Sequence, residues 1–376
     1  MKPIYLDYNA TTPVALEVLD EMLPYLRDHF GNPSSSHPYG RTSRVGVDTA
    51  RERLANLLGC TEDEVIFTGG GSESNNQAIK GVTETLKERG HHIITSAVEH
   101  PAVIAPCRWL EQQGYEVTYL PVDDSCRVSP DSVLESLRPE TVLVTIMHAN
   151  NEVGTIQPIA EIASIAHERG VPVHTDAAQS VGKISTRVDE LGVDFLSVAG
   201  HKLYAPKGVG ALYIRSGFDL PSFIHGAGHE SGHRAGTENV ASIAGLGRAA
   251  QLGEELISEY TDEIRPLRDE FFSKLLKTVG GIHLNGHPEH RLPNTLNVSF
   301  EGVDSHQLLE SIPGIAASTG SACHAGTHEP SAVLTAMGIS AERAIGALRL
   351  SLGTGTTREE IDQAVTWITE AVNKQR

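Results

Sequence analysis

Cysteine is scarce in this chain of 376 residues, and its few copies are poorly placed for bridges or metal sites. Only Cys60, Cys107, Cys126 and Cys323 occur, and no two of them form a C-x-x-C pair. This number and spacing exclude a disulfide framework, so reduced thiols in a reducing compartment are expected. Taken singly, each is expected to be a small buried hydrophobic side chain.

Long apolar runs and clustered positive charges are also missing. No apolar run approaches the roughly 20 residues that a membrane span requires, and residues 1–7 have neither a signal-peptide core nor an Arg-rich amphipathic stretch. Lys and Arg number 30 against 48 Asp and Glu, which gives a net charge of −18, whereas binding to nucleic acid needs clustered basic side chains. We therefore expect a cytoplasmic protein with no membrane association and no direct contact to nucleic acid.

Short apolar strands alternate with amphipathic helices from about residue 44 to residue 255. Several of the strands are continuous apolar runs, as expected when both faces of a strand are buried. The pattern predicts an α/β fold, in which a mainly parallel sheet is flanked by helices and ligands bind at the carboxyl ends of the strands. The predicted strands are 65–67, 93–95, 117–120, 142–146, 171–174, 195–198 and 211–214, and the predicted helices lie near 44–58, 73–88, 101–113 and 158–168.

The pattern changes after about residue 255, where helices and strands mix less regularly. This part of the chain predicts a smaller α+β domain. We expect a large ligand-binding domain of residues 15–255, and a small domain of residues 1–14 and 256–376 that carries Cys323. The predicted elements are helices near 261–279 and 304–312 and strands at 296–300 and 347–352.

Residues 68–72, Thr-Gly-Gly-Gly-Ser, lie between a predicted strand and a predicted helix. Glycine lets the backbone approach an anion, and the start of a helix offers free N–H groups and the positive end of its dipole. The loop is neither a Walker A motif nor a G-x-G-x-x-G fingerprint. Alone it is equally well explained as a tight turn with a helix cap.

Two strand ends carry groups that suit pyridoxal phosphate. Asp176 can pair with the pyridinium nitrogen and keep it protonated, and Gln179 can donate to the phenolic oxygen. Lys202 follows an apolar strand, where desolvation lowers the pKa of its amine and favours a covalent bond to an aldehyde. Separately these would be a helix cap, a solvated amide and a surface lysine. Together with the glycine loop, at one edge of a sheet, they favour a cofactor site.

The chain resembles the NifS/IscS-like cysteine desulfurases, members of the class V aminotransferase group of fold type I pyridoxal-phosphate enzymes. The similarity runs nearly from end to end in ordered motifs, which makes it more specific than any single one. The matching segments are 5–12, 31–34, 99–102, 150–154, 174–179, 200–202, 234–239, 292–295 and 320–323.

The resemblance implies a role for each matching residue. Lys202 holds the cofactor and moves protons at the substrate α-carbon, and His100 stacks on the ring and works as an acid or base. Thr237 reaches the phosphate of a neighbouring subunit's cofactor, which implies a homodimer. The other implied contacts are Asp176, Gln179 and Asn151 for the ring, Gly71, Ser72 and His201 for the phosphate, and Asn9, Asn151 and Arg349 for the substrate.

Simpler explanations stay open for some of these positions. His100 can be an ordinary loop histidine, and Asn150 and Asn151 can be turn residues. Ala199 stands where related sequences often carry Ser or Thr, and Ser72 where Thr is more usual. We therefore expect cofactor retention to be weaker by about 1 kcal/mol, the value of one neutral hydrogen bond.

Cys323 lies among small and polar residues, which predicts a mobile loop. A thiolate on a flexible tether can attack the sulfur of L-cysteine and carry the persulfide outward, leaving L-alanine. The resemblance implies delivery to an iron–sulfur scaffold or another sulfur-acceptor protein. A transient iron–sulfur contact at Cys323 is compatible with this role, although a lone thiolate makes a poor permanent cluster site.

Other functions compete with this interpretation. The segments around Cys323 and Arg349 also resemble selenocysteine lyases, whereas a plain aminotransferase needs no such cysteine. A metal-dependent hydrolase is disfavoured, because His225, His229 and His233 lie among glycines that oppose a helix, and no His-Glu-x-x-His motif occurs. A non-catalytic sulfur carrier would be colourless.

Overall fold

A computed structural model describes residues 3–319, 321–324 and 327–376, with the backbone alone for residues 321–324 and 327–329. The strands are β1 (Ile4–Tyr5), β2 (Val65–Thr68), β3 (His92–Ser96), β4 (Glu116–Leu120), β5 (Thr141–Thr145), β6 (Val173–Asp176), β7 (Phe195–Ala199), β8 (Gly210–Ile214), β9 (Ile282–Asn285), β10 (Thr295–Phe300), β11 (Ile315–Ala316), β12 (Ser318–Thr319), β13 (Ser321–His324), β14 (Thr327–Pro330) and β15 (Ala347–Ser351). The helices are α1 (Leu16–Arg27), α2 (Pro38–Leu58), α3 (Gly71–Thr85), α4 (Pro101–Glu111), α5 (Pro130–Ser136), α6 (Ile159–Glu168), α7 (Val188–Leu191), α8 (Val240–Glu259), α9 (Arg265–Thr278), α10 (Ser305–Ser311), α11 (Ala332–Ala336), α12 (Ala341–Ile345) and α13 (Arg358–Gln375).

A seven-stranded sheet in the order β2-β8-β7-β6-β5-β3-β4 forms the centre of the fold. Strands β3 to β7 run parallel, and β8 is antiparallel to both of its neighbours. The predicted α/β class and mainly parallel sheet are therefore confirmed. The carboxyl ends of the parallel strands meet at one edge, where a ligand is expected.

Helices cover both faces of this sheet, because neighbouring residues of a buried strand point to opposite sides. Phe195 packs with residues of α3 and α4, such as Ile79 and Val103. Its neighbour Leu196 belongs to the cluster on the other face, which includes residues from α2, α6 and α8. This explains why the strands are apolar on both faces instead of alternating.

Element boundaries were the least predictable feature. Helix α2 begins at Pro38, earlier than the predicted start near residue 44. Pro38 lies in the first turn, where its missing N–H costs nothing, and the side chain of His37 accepts the Gly40 N–H as a cap. The polar sequence of this first part hides the helical period. The predicted helix near 261–279 begins as a π-helical turn, Tyr260–Ile264, that joins α8 to α9.

A second hydrophobic core combines both ends of the chain. It holds Ile4, Leu6 and Tyr8 together with buried residues of α9, β10, β15 and α13. Beside it lies a four-stranded sheet in the order β12-β15-β10-β9. This grouping is the one that a small domain of residues 1–14 and 256–376 requires, although the division itself stays a prediction.

Within the described part of the chain, every helix is too short or too polar to cross a bilayer.

Candidate active site

A cavity of about 960 Å³ opens at the carboxyl ends of the central strands. Its walls come from the loops after β2, β3, β5, β6 and β7, together with β15 and the segment after β1. Ten residues predicted from the sequence line this cavity: Asn9, Gly71, Ser72, His100, Asn151, Asp176, Gln179, His201, Lys202 and Arg349. Thr237 is not among its lining, and the side chain of Cys323 lies outside the described residues.

The glycine loop forms a cradle at one side of the cavity. Helix α3 begins at Gly71, so the first N–H groups of the helix have no acceptor within it. Gly70 has φ 144°, a conformation that disfavours any side chain, and a Cβ at Gly210 would lie 2.7 Å from the Gly70 Cα. This close approach of β8 to the loop leaves bare backbone facing the cavity. Such a cradle fits a phosphate group.

Asp176 is the last residue of β6, and its carboxylate is held by two donors. The Asn75 Nδ2 donates to Asp176 Oδ2 at 2.7 Å, and the Ala178 N–H donates to Oδ1 at 2.9 Å. These two donors fix the direction of the carboxylate, which has lone pairs left to accept from a protonated ring nitrogen. Asn75 was missed from the sequence, although it lies one helical turn after Ser72 and therefore on the same side of α3.

Lys202 lies in a short 3₁₀ turn directly after β7. Its Nζ donates to the carbonyl oxygen of Ala10 at 2.7 Å and to that of Asn9. Desolvation, helped by the positive charge of Arg349, lowers the pKa of Lys202 to about 8. The neutral amine, which is the nucleophilic form, is therefore accessible close to neutral pH.

Gln179 joins the Lys202 side of the cavity to the N-terminal segment. Its Nε2 donates to the Asn9 carbonyl at 3.0 Å, while its buried Oε1 has no hydrogen-bond partner among the described residues. Behind it, the amine of Lys183 donates to the Gln179 carbonyl at 3.1 Å. Lys183 is 1% exposed, and burial lowers its pKa to about 7. Nothing in the sequence marked Lys183, because a lysine in a turn is expected to be solvated.

The two histidines of the cavity are both held largely neutral. His100 caps α4 by accepting the Ala102 N–H at 3.1 Å. Its pKa is lowered, first by desolvation and also by the charge of Lys202, while Asp176 opposes the shift. Desolvation and Lys202 lower the pKa of His201 to about 4, and its Nδ1 lies 3.2 Å from the Thr11 hydroxyl. A neutral imidazole can accept a proton, and the imidazolium that forms can return it.

Arg349 presents its guanidinium from β15, where three groups fix its direction. Its Nη2 donates to Asp7 Oδ1 at 2.7 Å and to the Ser318 hydroxyl at 3.0 Å, and its Nη1 donates to the Asn151 carbonyl at 3.0 Å. Within the described part of the chain, the buried Nε has no partner. The planar fork therefore keeps donor capacity for a carboxylate in the cavity.

The structure separates the two neighbouring asparagines. Asn150 is fully buried, and its Oδ1 accepts the N–H groups of Glu152 and Val153, which is a turn role. Asn151 lines the cavity. Asn9 is held in place by Thr295 and Asn294, at 2.9 Å and 3.1 Å, so its side chain organises the wall.

Thr237 is exposed and lies apart from the main cavity. It lines a smaller cavity of about 240 Å³, to which Gly69 of the glycine loop also contributes. Within this single chain Thr237 therefore faces outward, beside the back of the glycine loop.

The side chain of Cys323 lies outside the described residues. Its backbone belongs to a hairpin in which β13 pairs with β14, and Cys323 stands opposite His328. The predicted loop is thus a two-stranded hairpin in its backbone. The strand that leads into it, β12, pairs with β15, and Ser318 stands opposite Arg349. The segment bearing Cys323 therefore leaves the fold beside the guanidinium that closes the main cavity.

The side chains that the structure describes form no group of three or more His, Cys, Asp or Glu placed to hold a metal ion.

Pyridoxal phosphate fits the residues of the cavity. The bare glycine cradle suits the phosphate, and the ionised Asp176 suits a protonated ring nitrogen. Lys202 supplies an amine of lowered pKa. The unpaired Gln179 Oε1 leaves this wall an acceptor for a donor group of a ligand, whereas the Gln179 Nε2 that was predicted to donate to the phenolic oxygen is bonded to the Asn9 carbonyl. Each feature rests on contacts of this chain and not on its similarity to others.

Comparison with known proteins agrees with this assignment. Residues 4–364 match the aminotransferase class-V family. Cysteine desulfurase IscS of Dictyoglomus turgidum is 48% identical over 377 residues, which cover 100% of this chain and 96% of that protein. Cysteine desulfurase IscS of Methanosarcina thermophila is also 48% identical, with 100% and 93% covered.

Solved structures give the same result. A NifS-like protein superposes with a TM-score of 0.93 at 38% identity, covering 99% of this chain and 100% of that one. The structure of SspA in complex with cysteine has a TM-score of 0.84 at 42% identity, covering 93% and 98%. The chain therefore belongs to the aminotransferase class-V family and, within it, to the cysteine desulfurases.

Proposed function

We propose that this chain is a pyridoxal-phosphate-dependent cysteine desulfurase, which converts L-cysteine to L-alanine and transfers the sulfur to Cys323 as a persulfide. The observation that carries the proposal is the meeting of Lys202, Asp176, Arg349 and the glycine cradle in one cavity. Each group suits a different part of the cofactor or of an amino-acid substrate. The names of the similar proteins support cysteine as that substrate.

When bound, pyridoxal phosphate supplies an aldehyde that joins amines reversibly and a ring that stores the electron pair released at the α-carbon. Gly71, Ser72 and His201 hold its phosphate, Asp176 holds its ring nitrogen, and Gln179 and Asn151 hold other polar groups of its ring. His100 lies where it can cover the ring. These assignments rest on the lining of the cavity and on the family pattern.

The chain's own residues bind the substrate and move its protons. Arg349 binds the α-carboxylate, because Asp7 and the Asn151 carbonyl already aim its planar fork. Lys202 removes the α-proton, a task that requires its neutral amine and that its lowered pKa permits. His100, held neutral, can accept or return a second proton. A general acid or base of this kind contributes about 10²–10⁴-fold.

Cys323 carries the sulfur step. Its thiolate attacks the substrate Sγ, so that an S–S bond forms while the Cβ–Sγ bond breaks. The electron pair of the broken bond stays with the three-carbon fragment, which takes up a proton at Cβ and leaves as alanine. The sulfur is oxidised as the carbon is reduced, so no further oxidant or reductant is needed. The Cys323 persulfide then passes to an iron–sulfur scaffold or another acceptor protein.

The experiment that tests the proposal is a visible spectrum followed by product assays. The protein reconstituted with pyridoxal phosphate should absorb in the visible range, and Lys202→Ala should abolish this band. Lys207→Ala is the matched control, because Lys207 lines the same cavity, and should keep the band. If the band survives Lys202→Ala, or if the unsubstituted protein stays colourless after reconstitution, the assignment as a pyridoxal-phosphate enzyme is wrong.

Product assays with cysteine and selenocysteine separate the two candidate substrates. Cys323→Ser should abolish sulfide release from cysteine but spare much of any selenocysteine activity, since selenolate leaves more readily. Cys60→Ser is the control, because Cys60 is partly buried and its pKa is raised to about 12 by burial. Equal loss on both substrates in Cys323→Ser would contradict this split.

The proposal includes a homodimer. Its support is an apolar stripe of exposed leucines on α1, spaced as neighbours on one helical face: Leu16, Leu19, Leu23 and Leu26. Phe30 and Tyr39, with ring centroids 5.4 Å apart, add exposed aromatic surface. Helix α1 packs on α8, and exposed Thr237 lies just before the start of α8. A second copy of the chain that covered the leucine stripe would therefore lie near Thr237, the residue that the family resemblance assigns to the neighbouring subunit's cofactor. Large exposed apolar patches mark protein interfaces.

A cytoplasmic location forms the last part of the proposal. Cys60, Cys107 and Cys126 are free thiols. Free thiols stay reduced in a reducing compartment such as the cytoplasm.

A further inference from the structure

Glu230 is a buried carboxylate that lines no part of the Lys202 cavity. Its oxygens accept from Arg51 at 2.8 Å and 2.9 Å, and one of them also accepts the Phe67 N–H at 2.9 Å. The Arg51 guanidinium lies 4.7 Å from the centroid of the Phe67 ring and donates to the Val65 carbonyl. Both backbone contacts fall on β2, which is an edge strand.

The ion pair therefore occupies the open edge of β2 where a neighbouring strand would otherwise bind. An unpaired edge leaves N–H and C=O groups without partners. Here a carboxylate takes the N–H and a guanidinium takes the C=O, so the edge is closed by side chains. Strand β2 ends at Thr68, which opens the glycine loop. The ion pair of Arg51 and Glu230 thus fixes the strand that leads into the glycine loop.

Glu230 also begins a strained turn. Glu230, Ser231 and Gly232 have φ values of 48°, 55° and 94°, so two residues with side chains adopt the left-handed region. Such strain persists only where surrounding contacts over-determine the backbone. The buried ion pair with Arg51 supplies such contacts. The turn leads directly into residues 234–239, which contain Thr237.

A second ion pair joins this segment to the glycine loop. Arg234 donates to Glu73 at 2.9 Å, and the Glu73 Oε2 in turn accepts the Gly69 N–H at 2.8 Å. Further along, Arg44 of α2 binds buried Glu238 at 2.8 Å and 3.1 Å. Residues 230–239 are therefore clamped at three points, and Thr237 is left exposed between them.

We propose that Glu230, through its ion pair with Arg51, is a positioning residue that locks residues 68–72 and residues 234–239 into one arrangement, so that cofactor binding depends on it. The proposal rests on the proposed function, because it takes the glycine loop and Thr237 as the two phosphate-facing segments. Glu230 touches neither cofactor nor substrate. It acts by fixing the backbone that does.

In the test, cofactor-free protein is titrated with pyridoxal phosphate, and the absorbance change gives the dissociation constant of the cofactor. The Tm of each variant is measured as well. Glu230→Gln should raise the dissociation constant by about tenfold, as expected when charge-assisted contacts loosen. Arg51→Lys is the milder second variant: it keeps the charge, loses the bidentate fork and should shift affinity in the same direction.

A double-mutant cycle tests whether the effect runs through Thr237. Glu230→Gln combined with Thr237→Ala should weaken binding by less than the product of the two single factors, since both disturb one segment. If the double variant raises the dissociation constant by the full product of the two single factors, Glu230 and Thr237 act independently and the proposed link between them is wrong.

Asp194→Asn is the matched control for a buried ion pair. Asp194 is buried, accepts the Val173 N–H at 2.8 Å and pairs with Arg215, but it lies at the amino end of β7. It should lower Tm without changing the dissociation constant. If Glu230→Gln behaves in the same way, Glu230 is merely structural and the proposal is wrong. Failure of the proposed function itself would show separately, as an unsubstituted protein without a Lys202-dependent band.

Discussion

At the residue scale, the pKa of Lys202 depends on charged residues that are far from it in the sequence. Burial is the largest cause of its lowered pKa, Arg349 lowers the pKa further, and Asp7 and Asp176 raise it. The same Asp7 binds Arg349 at 2.7 Å. Asp7 therefore holds Arg349, the proposed ligand of the substrate carboxylate, and also opposes the lowering of the Lys202 pKa. The two ends of a substrate would thus meet groups that are already electrostatically linked.

The lowered pKa gives a prediction about pH. In the cofactor-free protein, labelling of Lys202 by an amine-reactive reagent, followed by mass spectrometry, should reach half its maximal rate near pH 8. The unprotonated amine reacts, and its fraction rises as pH increases through the pKa. Arg349→Gln removes the strongest lowering charge and should move the midpoint upward. Labelling that rises only in the range of exposed lysines, about pH 10.4, would contradict the burial argument.

The strand-end residues could be predicted from the sequence, whereas their supports could not. Asp176 and Lys202 each follow an apolar run, and a parallel sheet gathers such positions at one edge. Asn75, Lys183 and the pair of Arg51 with Glu230 act through contacts between segments far apart in the chain. The spacing of residues within one segment cannot predict contacts of this kind. The roles of Cys323 and Thr237 depend on the family resemblance, because the side chain of one lies outside the described residues and the other faces outward.

At the element scale, the long parallel-sheet pattern was predictable because each strand carries its own apolar signal. The direction of β8 was not predictable, because an antiparallel strand buried on both faces has the same composition as a parallel one. Its direction matters for the site. Strand β8 brings Gly210 against the glycine loop, so that two backbones meet without side chains.

Gly210→Ala tests this close approach. The new Cβ would lie 2.5 Å from the Val198 carbonyl oxygen and 2.7 Å from the Gly70 Cα, so backbone must move. We expect overpacking to cost about 1–3 kcal/mol of stability and to weaken pyridoxal phosphate binding as the cradle shifts. Absorbance titration and thermal unfolding measure the two effects.

Gly208→Ala is the matched control for that substitution. Gly208 lies two residues before Gly210, lines the Lys202 cavity and has φ 81°. A Cβ added there would have no heavy atom of the described residues within 4 Å beyond its chain neighbours. It should lose stability from backbone strain with little change in the cradle. Equal loss of cofactor affinity in the two variants would show that steric contact with the loop is not the cause.

At the scale of the whole molecule, the N-terminal segment joins the two hydrophobic cores. Ile4, Leu6 and Tyr8 pack in the second core, while the carbonyls of Asn9 and Ala10 accept from Lys202. The N-terminal segment therefore links the packing of the second core directly to Lys202, the residue proposed to hold the cofactor. The sequence predicts a small domain of residues 1–14 and 256–376, and the second core does combine residues from both of these segments. The division into domains itself stays a prediction.

The leucine stripe of α1 allows a test of assembly. Leu19 and Leu23 are 42% and 47% exposed, and no described part of this chain covers them further. If a second copy buries this face, Leu23→Glu must bury an unpaired carboxylate or separate the subunits. A penalty of about 3 kcal/mol would weaken the dimer by about 100-fold. Sedimentation velocity over a range of concentrations measures this change. Leu276→Glu is the control, since Leu276 is 49% exposed on α9, and should leave the dimer intact.

Because Thr237 is exposed in the single chain, the Leu23→Glu monomer should also hold pyridoxal phosphate less tightly. A monomeric Leu23→Glu protein with unchanged cofactor affinity would show that no second copy completes the site.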